Sequence, residues 1–362
     1  MEDMEVTFRN FYRNKKILIT GHTGFKGSWM SLLLNSLGAE VTGIGLHPNT
    51  VPSLFEILHM DEKINSRICD IRNLNEMMKI FDEVKPEIVI HMAAQPLVIE
   101  SYKNPVYTYD VNVMGTVNIC ECIRTSESVK SFVNVTTDKV YQNNEWCYGY
   151  REVDRLNGYD PYSNSKSCSE LVTDSYTSSF FNSMDLAVSR CRAGNVIGGG
   201  DFNENRIIPD CIKYTVNHET IQVRNPNSTR PYQHVLEPVV LYLYLAMLQY
   251  ENKELAGCYN IGPNESDCVT TGEICDLFVH TWQENAKWTA TDYNGPQEAN
   301  FLKLDCSKAK SVLNWNPVWD VATAIQKTVE WSKAYYDNQE IEKITHQQLE
   351  EYLKEICKWK QY

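Results

Sequence analysis

"KILITGHTGFKG", residues 16–27, decides the fold class, because a strand pattern runs directly into three glycines spaced three residues apart. Residues 16–20 are predicted to form a buried strand, and residues 28–37 have the apolar pattern of a helix. Gly21 allows a tight turn, Gly24 lets the backbone approach a ligand, and Gly27 lets the helix pack closely on the strand. A glycine-rich turn between a strand and a helix is a cradle for a pyrophosphate. The other loop residues expected beside this ligand are Thr23, Phe25 and Lys26.

The first half of the chain alternates strand patterns with amphipathic helix patterns. The predicted strands span residues 16–20, 40–45, 87–94, 131–137 and 185–191, and the predicted helices span 28–37, 73–84, 106–124 and 162–180. Such alternation predicts an α/β fold in which helices cover both faces of a doubly wound, Rossmann-like parallel sheet. The looser pattern that follows predicts a smaller mixed α/β substrate domain.

Three regions follow from these patterns. Residues 14–193 are predicted to form a dinucleotide-binding Rossmann domain, to which part of 230–265 returns. Residues 194–335 are predicted to be mainly a substrate-binding domain, since glycines, prolines and short strands become more frequent there. Residues 336–362 are predicted to form a C-terminal amphipathic helix that docks on the protein's own surface or on a second subunit.

Composition excludes several classes of partner. With 34 basic and 47 acidic residues, the chain has a formal net charge of −13, which disfavours binding to nucleic acid or to anionic membranes. The longest apolar run, VVLYLYLAML at 239–248, is shorter than the ~20 residues of a membrane-spanning helix. The N-terminus does not resemble a signal peptide, and the 12 cysteines are scattered without a CxxC pair. We therefore expect free thiols, no metal site and a cytoplasmic location.

The end of the second predicted strand bears on which dinucleotide is bound. A carboxylate about twenty residues after the glycines holds the adenosine ribose in NAD enzymes. Here the strand ends in GIGLHPN, residues 43–49, with His47 in place of an acid and with no arginine for a 2′-phosphate. This position therefore leaves NAD and NADP open. Asp70 and its neighbour Ile71 are placed to reach an adenine edge, although Asp70 fits a helix cap equally well.

Two motifs place ionisable side chains near the carboxyl ends of predicted strands. DPYSNSK, residues 160–166, sets Tyr162 and Lys166 four residues apart on one helix face, where the lysine would favour the phenolate and make it a usable base. TTDKVY, residues 136–141, places Asp138 beside Lys139 directly after a strand. Taken alone, the first motif fits a chance helical pair and the second a solvated loop. Together with the glycine loop they indicate a redox site.

These motifs resemble the extended short-chain dehydrogenase/reductase family and, within it, the CDP-glucose branch of the nucleotide-sugar 4,6-dehydratases. The resemblance covers roughly residues 14–335 and leaves the N-terminal dozen residues and the final helix outside it. The matching segments are GHTGFKG (21–27), HMAAQP (91–96), VNVMGT (111–116), TTDKVY (136–141), YSNSK (162–166), GNVIGGGDF (194–202), NRIIPD (205–210), STRPYQHVLEP (228–238) and LNWNPVW (313–319).

The resemblance implies a three-part reaction. A tightly bound, recycled NAD, rather than NADP, oxidises the sugar at its 4-hydroxyl, with Tyr162 as base and Thr137 bonded to that hydroxyl. Water is then lost across carbons 5 and 6, and the hydride returns to carbon 6. Asp138 is implied to be the acid for water loss, and Lys139 is either the base at carbon 5 or an electrostatic stabiliser of the enolate. The implied cofactor contacts are Gly21, Thr23, Gly24, Phe25, Lys26, Gly27, His47, Asp70, Ile71, Ala93, Ala94, Gln95, Asn112, Tyr162 and Lys166.

The resemblance also implies substrate contacts. Asn195, Arg206 and Arg230 match positions that hold diphosphate and sugar, although Arg206 alone fits a surface salt bridge equally well. The remaining candidates are Gln95 and His234 as pocket residues and Glu298, which would meet the nucleotide's ribose or cap a helix.

The implied function is dehydration of CDP-glucose to a 4-keto-6-deoxy sugar, for deoxysugar biosynthesis that feeds surface polysaccharide. A nucleotide-sugar 4-epimerase or a reductase of the same fold is the alternative, but it would have no use for the acid Asp138. A non-catalytic nucleotide-binding module would be expected to lose Tyr162, Lys166 or the glycines. The resemblance further implies a homodimer, paired through the helix from Val106 and the helix that carries Tyr162.

Overall fold

A computed structural model describes residues 4–292 and 299–356. Its strands are β1 Lys16–Thr20, β2 Glu40–Gly45, β3 Asn65–Ile68, β4 Ile88–His91, β5 Ser131–Thr137, β6 Ala187–Ala193, β7 Val196–Ile197, β8 Ile221–Val223, β9 Thr229–Arg230, β10 Gln233–His234, β11 Cys258–Ile261, β12 Val269–Thr270 and β13 Trp288–Ala290. Its helices are α1 Met4–Tyr12, α2 Phe25–Ser36, α3 Leu54–Ile57, α4 Met60–Lys63, α5 Leu74–Val84, α6 Val98–Lys103, α7 Pro105–Tyr109, α8 Gly115–Arg124, α9 Pro161–Ser179, α10 Ile207–Val216, α11 Leu236–Glu251, α12 Thr271–Trp282, α13 Ser307–Val312, α14 Val321–Tyr336 and α15 Ile341–Glu355.

Seven strands form one parallel sheet in the order β3–β2–β1–β4–β5–β6–β11. The predicted doubly wound α/β fold is therefore confirmed. The strand order reverses between β1 and β4, and in such sheets ligands bind outside the carboxyl ends of the strands at this reversal. Thr20 at the end of β1 is in register with His91 at the end of β4, so the loops that follow these two strands start side by side.

Both faces of the sheet are buried, as the alternation of side chains along β1 shows. Ile17 and Ile19 belong to the apolar cluster that contains α2 and α11, whereas Leu18 belongs to the cluster beneath α5 and α8. Successive side chains of a strand point to opposite faces, so a strand buried on both faces is apolar throughout. This explains why Ile17, Leu18 and Ile19 are all apolar, between the exposed Lys16 and the buried Thr20.

Several predicted boundaries shift. The predicted helix at 106–124 is interrupted by a π-helical turn, Asp110–Met114, between α7 and α8. The predicted strand at 87–94 ends at His91, because the N–H groups of Met92 and Ala93 turn to the side-chain oxygen of Thr20. Strand β6 extends to Ala193, two residues beyond the predicted 185–191, because it stays in register with β5 as far as Thr137.

A third apolar cluster lies in the second half of the chain, where α10, α12 and α14 pack around β8. Three two-stranded sheets surround it: β7 with β10, β9 with β12, and β8 with β13. Strand β11 lies in the main sheet beside β6, and α11 packs on that sheet, so the chain returns to the first half between these smaller elements.

The two terminal helices lie on the protein's own surface. Tyr12 of α1 donates a hydrogen bond of 2.5 Å to the Leu243 carbonyl in α11. Tyr352 of α15 donates one of 2.8 Å to the buried carboxyl of Glu237, at the start of α11. The last six residues of the predicted helix region, 357–362, lie outside the described residues. Within the described ranges, no helix combines the length and the apolar character that crossing a bilayer requires.

Candidate active site

Gly21 and Gly27 occupy positions in the loop after β1 that leave no room for a side chain. Gly21 has φ +80°, and a Cβ there would lie 2.8 Å from the backbone nitrogen of Ala93. A Cβ on Gly27 would lie 2.1 Å from the Gly21 carbonyl oxygen, so a glycine here lets α2 start directly against the loop. Gly24 is the N-cap residue of α2. The first N–H groups of α2 therefore have no intrahelical acceptor and suit an anion such as a pyrophosphate.

The residues expected near an adenosine lie at the ends of β2 and β3. Thr23 ties the glycine loop to β2 by donating a hydrogen bond of 2.8 Å to the Leu46 carbonyl, and the neighbouring His47 is exposed. Asp70 is half-buried and pairs with Arg72 at 2.6 Å, which holds the pKa of the carboxyl below its usual range. Ile71 is buried against α8.

Asn112 fixes the loop that follows β4. Its side-chain oxygen accepts from the Gln95 N–H at 2.8 Å, and its amide donates to the Gln95 carbonyl at 3.1 Å. The same amide donates to Ser165 Oγ at 2.8 Å, beside Lys166. Asn112 thus joins the β4 loop, which carries Ala93 and Ala94, to the helix of the Tyr/Lys motif.

Strand β5 ends at Thr137, and Asp138 begins a single 3₁₀ turn, Asp138–Val140. Thr137 Oγ1 donates to Asp138 Oδ1 at 2.9 Å, and it also accepts from the Lys139 N–H at 3.4 Å. The Asp138 side chain is buried, and its Oδ2 has no hydrogen-bond partner in the part of the chain that the structure describes. Lys139 is half-buried. The acid and the amine therefore border one cavity at the carboxyl end of a strand.

Tyr162 and Lys166 lie on the first two turns of α9, whose N-cap residue Asp160 accepts from the Ser163 N–H. Burial raises the pKa of Tyr162 to about 12, although the nearby Thr137 and Arg206 act in the opposite direction. Burial and the charge of Lys26 lower the pKa of Lys166 to about 8. Lys166 Nζ donates to the Val135 carbonyl at 3.0 Å, and the activation of the phenol by this lysine stays a prediction.

These groups share one cavity of about 970 Å³, a size typical of ligand sites. The cavity wall brings together the predicted residues Phe25, Lys26, Ala94, Thr137, Asp138, Lys139, Tyr162, Lys166, Asn195, Arg206 and Arg230. Burial lowers the pKa of Lys26 to about 8, and the charge of Arg206 acts in the same direction. The charge of Asp138 acts in the opposite direction, so Lys26 lies near both side chains. The cavity therefore combines the buried Asp138 with several cationic groups.

The candidate substrate residues fall into two groups. Arg206 and Arg230 line the cavity with Asn195; Arg206 pairs with Asp201 at 3.0 Å, and Arg230 donates to the carbonyls of Thr229 and Ala299. Glu298 lies outside the described residues, so its predicted contact has no structural counterpart here.

Two predicted pocket residues lie elsewhere. His234 is fully buried with its ring packed edge-on against Trp29 and Trp319, at centroid distances of 6.0 and 4.8 Å, so it does not border the cavity. Gln95 also lies outside the cavity wall, because its amide donates to the Leu97 carbonyl and to Thr108. The structure does not bring either residue to the cavity wall, and their direct contact with substrate stays a prediction.

The sequence analysis did not predict the buried ion pair between Glu170 and Arg192, which lies beside β5. Glu170, one turn after Lys166, accepts two hydrogen bonds from Arg192 of β6, at 2.9 and 2.8 Å, and both side chains are buried. Glu170 also accepts from Thr136 Oγ1 at 2.5 Å, so the pair holds the end of β5. The only signal in the sequence is the spacing of Glu170 from Lys166.

Comparison with known proteins places this geometry in a family. The family model described as GDP-mannose 4,6 dehydratase matches residues 18–328. The chain belongs to the GDP-mannose 4,6-dehydratase family. Membership of this dehydratase family confirms the resemblance to the extended short-chain dehydrogenases/reductases that the motifs indicate.

Two curated relatives and one solved structure are similar to the chain over most of its length. The CDP-glucose 4,6-dehydratase of Salmonella typhimurium is 44% identical over 351 residues, which cover 95% of this chain and 98% of the relative. A putative UDP-glucose 4-epimerase of Methanocaldococcus jannaschii is 30% identical and covers 88% of this chain and 98% of its own. The NAD complex of dTDP-glucose 4,6-dehydratase from Bacillus anthracis has a TM-score of 0.73 at 20% identity, with coverage of 91% and 99%, and this likeness shows the shared fold.

Proposed function

We propose that the protein is an NAD-dependent nucleotide-sugar 4,6-dehydratase that converts CDP-glucose to CDP-4-keto-6-deoxyglucose. The observation that carries this proposal is the buried Asp138, whose Oδ2 has no protein partner within the described ranges and which lines the same cavity as Tyr162. An epimerase needs the tyrosine but no acid for a departing hydroxyl. The similarity to a CDP-glucose 4,6-dehydratase, at 44% identity over nearly the whole of both chains, supports CDP-glucose as the substrate.

The proposed cofactor is a tightly held NAD. The residues suit its pyrophosphate, because the Cβ-free positions 21 and 27 leave the start of α2 open to an anion. Asp70 and Ile71 would border the adenine, and His47 the ribose. NAD would supply a hydride acceptor for carbon 4 of the sugar and a hydride donor for carbon 6. We propose NAD over NADP because the 2′-phosphate of NADP needs a cation near the end of β2. No arginine follows β2 before Arg67, and Lys26 and Arg206 line the cavity beside Tyr162 instead.

The first step requires Tyr162 to take the proton of the 4-hydroxyl. Arg206 lies close enough for its charge to favour the phenolate of Tyr162. Tyr162 lies in the first turn of α9 and lines the cavity. Thr137, at the end of β5, would donate or accept a hydrogen bond at the same hydroxyl. Oxidation leaves a ketone at carbon 4, which acidifies the proton on carbon 5.

The second step is loss of water. The proton on carbon 5 leaves to a base, the electron pair forms the carbon 5–carbon 6 double bond, and the carbon 6–oxygen bond breaks. Asp138 would deliver a proton from Oδ2 to the departing hydroxyl, so that water leaves. Lys139 would be the base, or would stabilise the enolate by its charge.

The diphosphate would lie between α10 and β9. Arg206 is the N-cap residue of α10 and lines the cavity, so a diphosphate there would meet its guanidinium beside the start of this helix. Arg230 adds a second cation on β9. We propose that residues 194–335 act mainly as the substrate domain, with the cluster around α10, α12 and α14 as its core.

The test of this proposal is incubation with a panel of CDP-, dTDP-, UDP- and GDP-glucose. We expect CDP-glucose to be consumed fastest and to give a product lighter by one water, with the ultraviolet absorbance of a 4-keto-6-deoxy sugar in alkali. A product of unchanged mass, inverted at carbon 4, would make the protein an epimerase. No turnover of any of the four sugars would remove the proposal.

We further propose a homodimer through the outer face of α7, α8 and α9. These helices are adjacent, because Tyr109 donates to Asn164 at 2.9 Å, and they expose apolar side chains. Val106 is 83% exposed and Leu171 55% exposed, which is costly to leave in water and favours pairing with a second copy.

A further inference from the structure

Asp201 is an acidic side chain in the wall of a cavity proposed to take a diphosphate. An uncompensated carboxylate there would repel the substrate. The side chain is 3% exposed, and both of its oxygens have protein donors. Oδ1 accepts from the backbone and side-chain nitrogens of Asn203, at 3.2 and 2.6 Å, and Oδ2 accepts from Arg206 Nη1 at 3.0 Å. The carboxylate is therefore directed at the protein.

The loop that carries Asp201 is held on both sides. Before it, the Gly199 carbonyl accepts from Trp29 Nε1 at 3.0 Å, and a Cβ on Gly199 would collide with Trp331. After it, the ring of Phe202 lies 5.4 Å from that of Tyr335. Such a loop gives Asp201 a fixed position relative to the cavity.

Asn203 extends this arrangement to the cofactor side of the protein. Its side-chain oxygen accepts from Asn49 Nδ2 at 2.9 Å, and Asn49 lies in the loop after β2. Asn203 thus donates to Asp201 with one end of its amide and accepts from Asn49 with the other, which fixes the amide's orientation.

Arg206 has one nitrogen of its guanidinium engaged by Asp201, and its side chain lines the cavity. Nη1 pairs with Asp201, while in the described ranges neither Nε nor Nη2 donates a hydrogen bond. The side chain is 33% exposed. A guanidinium carries five N–H donors in a fixed fork, so one edge can bind a carboxylate while another binds a phosphate oxygen.

We infer that Asp201 is a positioning residue that holds Arg206 in the orientation that binds the substrate's diphosphate. The inference rests on the proposed function and adds to it the residue through which Arg206 is preorganised. A long, flexible arginine loses side-chain entropy when it binds a ligand, and a fixed partner removes part of that loss before the ligand arrives. Because the diphosphate is bound equally in the ground state and the transition state, the loss should appear in KM more than in kcat.

The experiment is a double-mutant cycle of Asp201→Asn and Arg206→Met, followed by calorimetric binding of CDP and by the KM and kcat for CDP-glucose. Asp201→Asn keeps the shape and the oxygen that Asn203 bonds but removes the charge that holds Arg206. We expect each single variant to weaken CDP binding and raise KM about tenfold, and we expect Asp201→Asn to change kcat less than KM. In the Arg206→Met background, Asp201→Asn should then change CDP binding less than about twofold.

Independent effects that multiply in the double variant would mean that Asp201 contacts the ligand itself and would overturn the inference. So would a fall in thermal stability with unchanged CDP binding, which is what a purely structural role gives. Glu83→Gln, which breaks the exposed Arg67–Glu83 pair, is the control for losing a surface ion pair.

If Asp201→Asn does not fold, Asn203→Ala tests the same arrangement by removing the amide that orients the carboxylate. It should weaken CDP binding several-fold, and only when Arg206 is present. If the wild-type protein binds CDP but turns over no sugar, the proposed function is contradicted. The double-mutant cycle would then still test the role of Asp201 through CDP binding. Failure of the wild type to bind CDP, UDP, dTDP or GDP would overturn both.

Discussion

Thr137 and Asp138 form a hydrogen bond of 2.9 Å in which the hydroxyl donates to Oδ1 of the neighbouring carboxyl. The bond leaves Oδ2 without a partner elsewhere in the described chain, and we propose this oxygen as the one that gives a proton to the substrate. Because Thr137 is the last residue of β5, the sheet itself sets the position of this oxygen. The chemistry proposed for the cavity depends on that placement.

Tyr162→Phe should reduce oxidation of the sugar by about 10²–10⁴-fold, because it deletes the base that takes the 4-hydroxyl proton. Nucleotide binding should stay within about twofold of the wild type, since only one oxygen is lost from the pocket. The measurements are steady-state turnover and calorimetric binding of CDP. Tyr159→Phe, at a position 90% exposed to solvent, is the matched control and should behave as the wild type. Turnover of Tyr162→Phe near the wild-type rate would remove Tyr162 from the mechanism.

Arg192→Met should lower the free energy of unfolding by about 3–5 kcal/mol, because it leaves the buried carboxylate of Glu170 without its main partner. Urea denaturation measures this change. Arg124→Met, which breaks an exposed pair with Glu121, should leave stability nearly unchanged. If the two substitutions lower the free energy of unfolding equally, the Glu170–Arg192 pair does not stabilise β5 more than a surface pair would.

How far the sequence anticipated the site depends on the range of each interaction. The glycine loop and the spacing of Tyr162 and Lys166 are local patterns, and a strand–loop–helix context fixes their geometry. The bounds of β1, β2 and β5 were also predictable, because each is a short segment rich in β-branched residues that alternates with helix patterns along the chain.

The partners of charged side chains were not predictable in this way. Asp201 and Arg206 are five residues apart on an irregular loop, and Glu170 and Arg192 lie on different elements, so no periodicity relates them. His234 follows a motif of polar residues, yet two distant tryptophans enclose its ring. The π-helical turn at Asp110–Met114 likewise depends on the tertiary bonds of Asn112.

The proposed homodimer should have twice the chain mass when light scattering measures it at micromolar concentration. Leu171→Lys should shift the protein towards the monomer, because it places a charge in the middle of the proposed interface on α9. Tyr336→Lys, at a 42% exposed aromatic position at the end of α14, is the control and should leave the dimer intact. A monomeric wild type would contradict the pairing of α7, α8 and α9.

Lys139→Met separates the two roles of this lysine when it is added to Asp138→Asn. The single Asp138→Asn variant should accumulate a 4-keto sugar whose carbon-5 proton exchanges with deuterated solvent. If Lys139 is the base, exchange should cease in the double variant; if it stabilises the enolate, exchange should persist more slowly. Nuclear magnetic resonance of the recovered sugar measures it, with Lys79→Met, at an exposed helix position, as the control. Unchanged exchange would place Lys139 outside the reaction.

The most direct test of the dehydratase assignment is the reaction of Asp138→Asn with CDP-glucose. The amide keeps the shape of the carboxyl and its bond with Thr137, but it cannot give a proton to the departing hydroxyl. Oxidation should therefore proceed while water loss slows by about 10²–10⁴-fold. The absorbance of the reduced cofactor should rise and persist, and mass spectrometry should find a 4-keto sugar that retains its 6-hydroxyl. Normal formation of the 4-keto-6-deoxy product, with no build-up of reduced cofactor, would contradict the role of Asp138 and the account built on it.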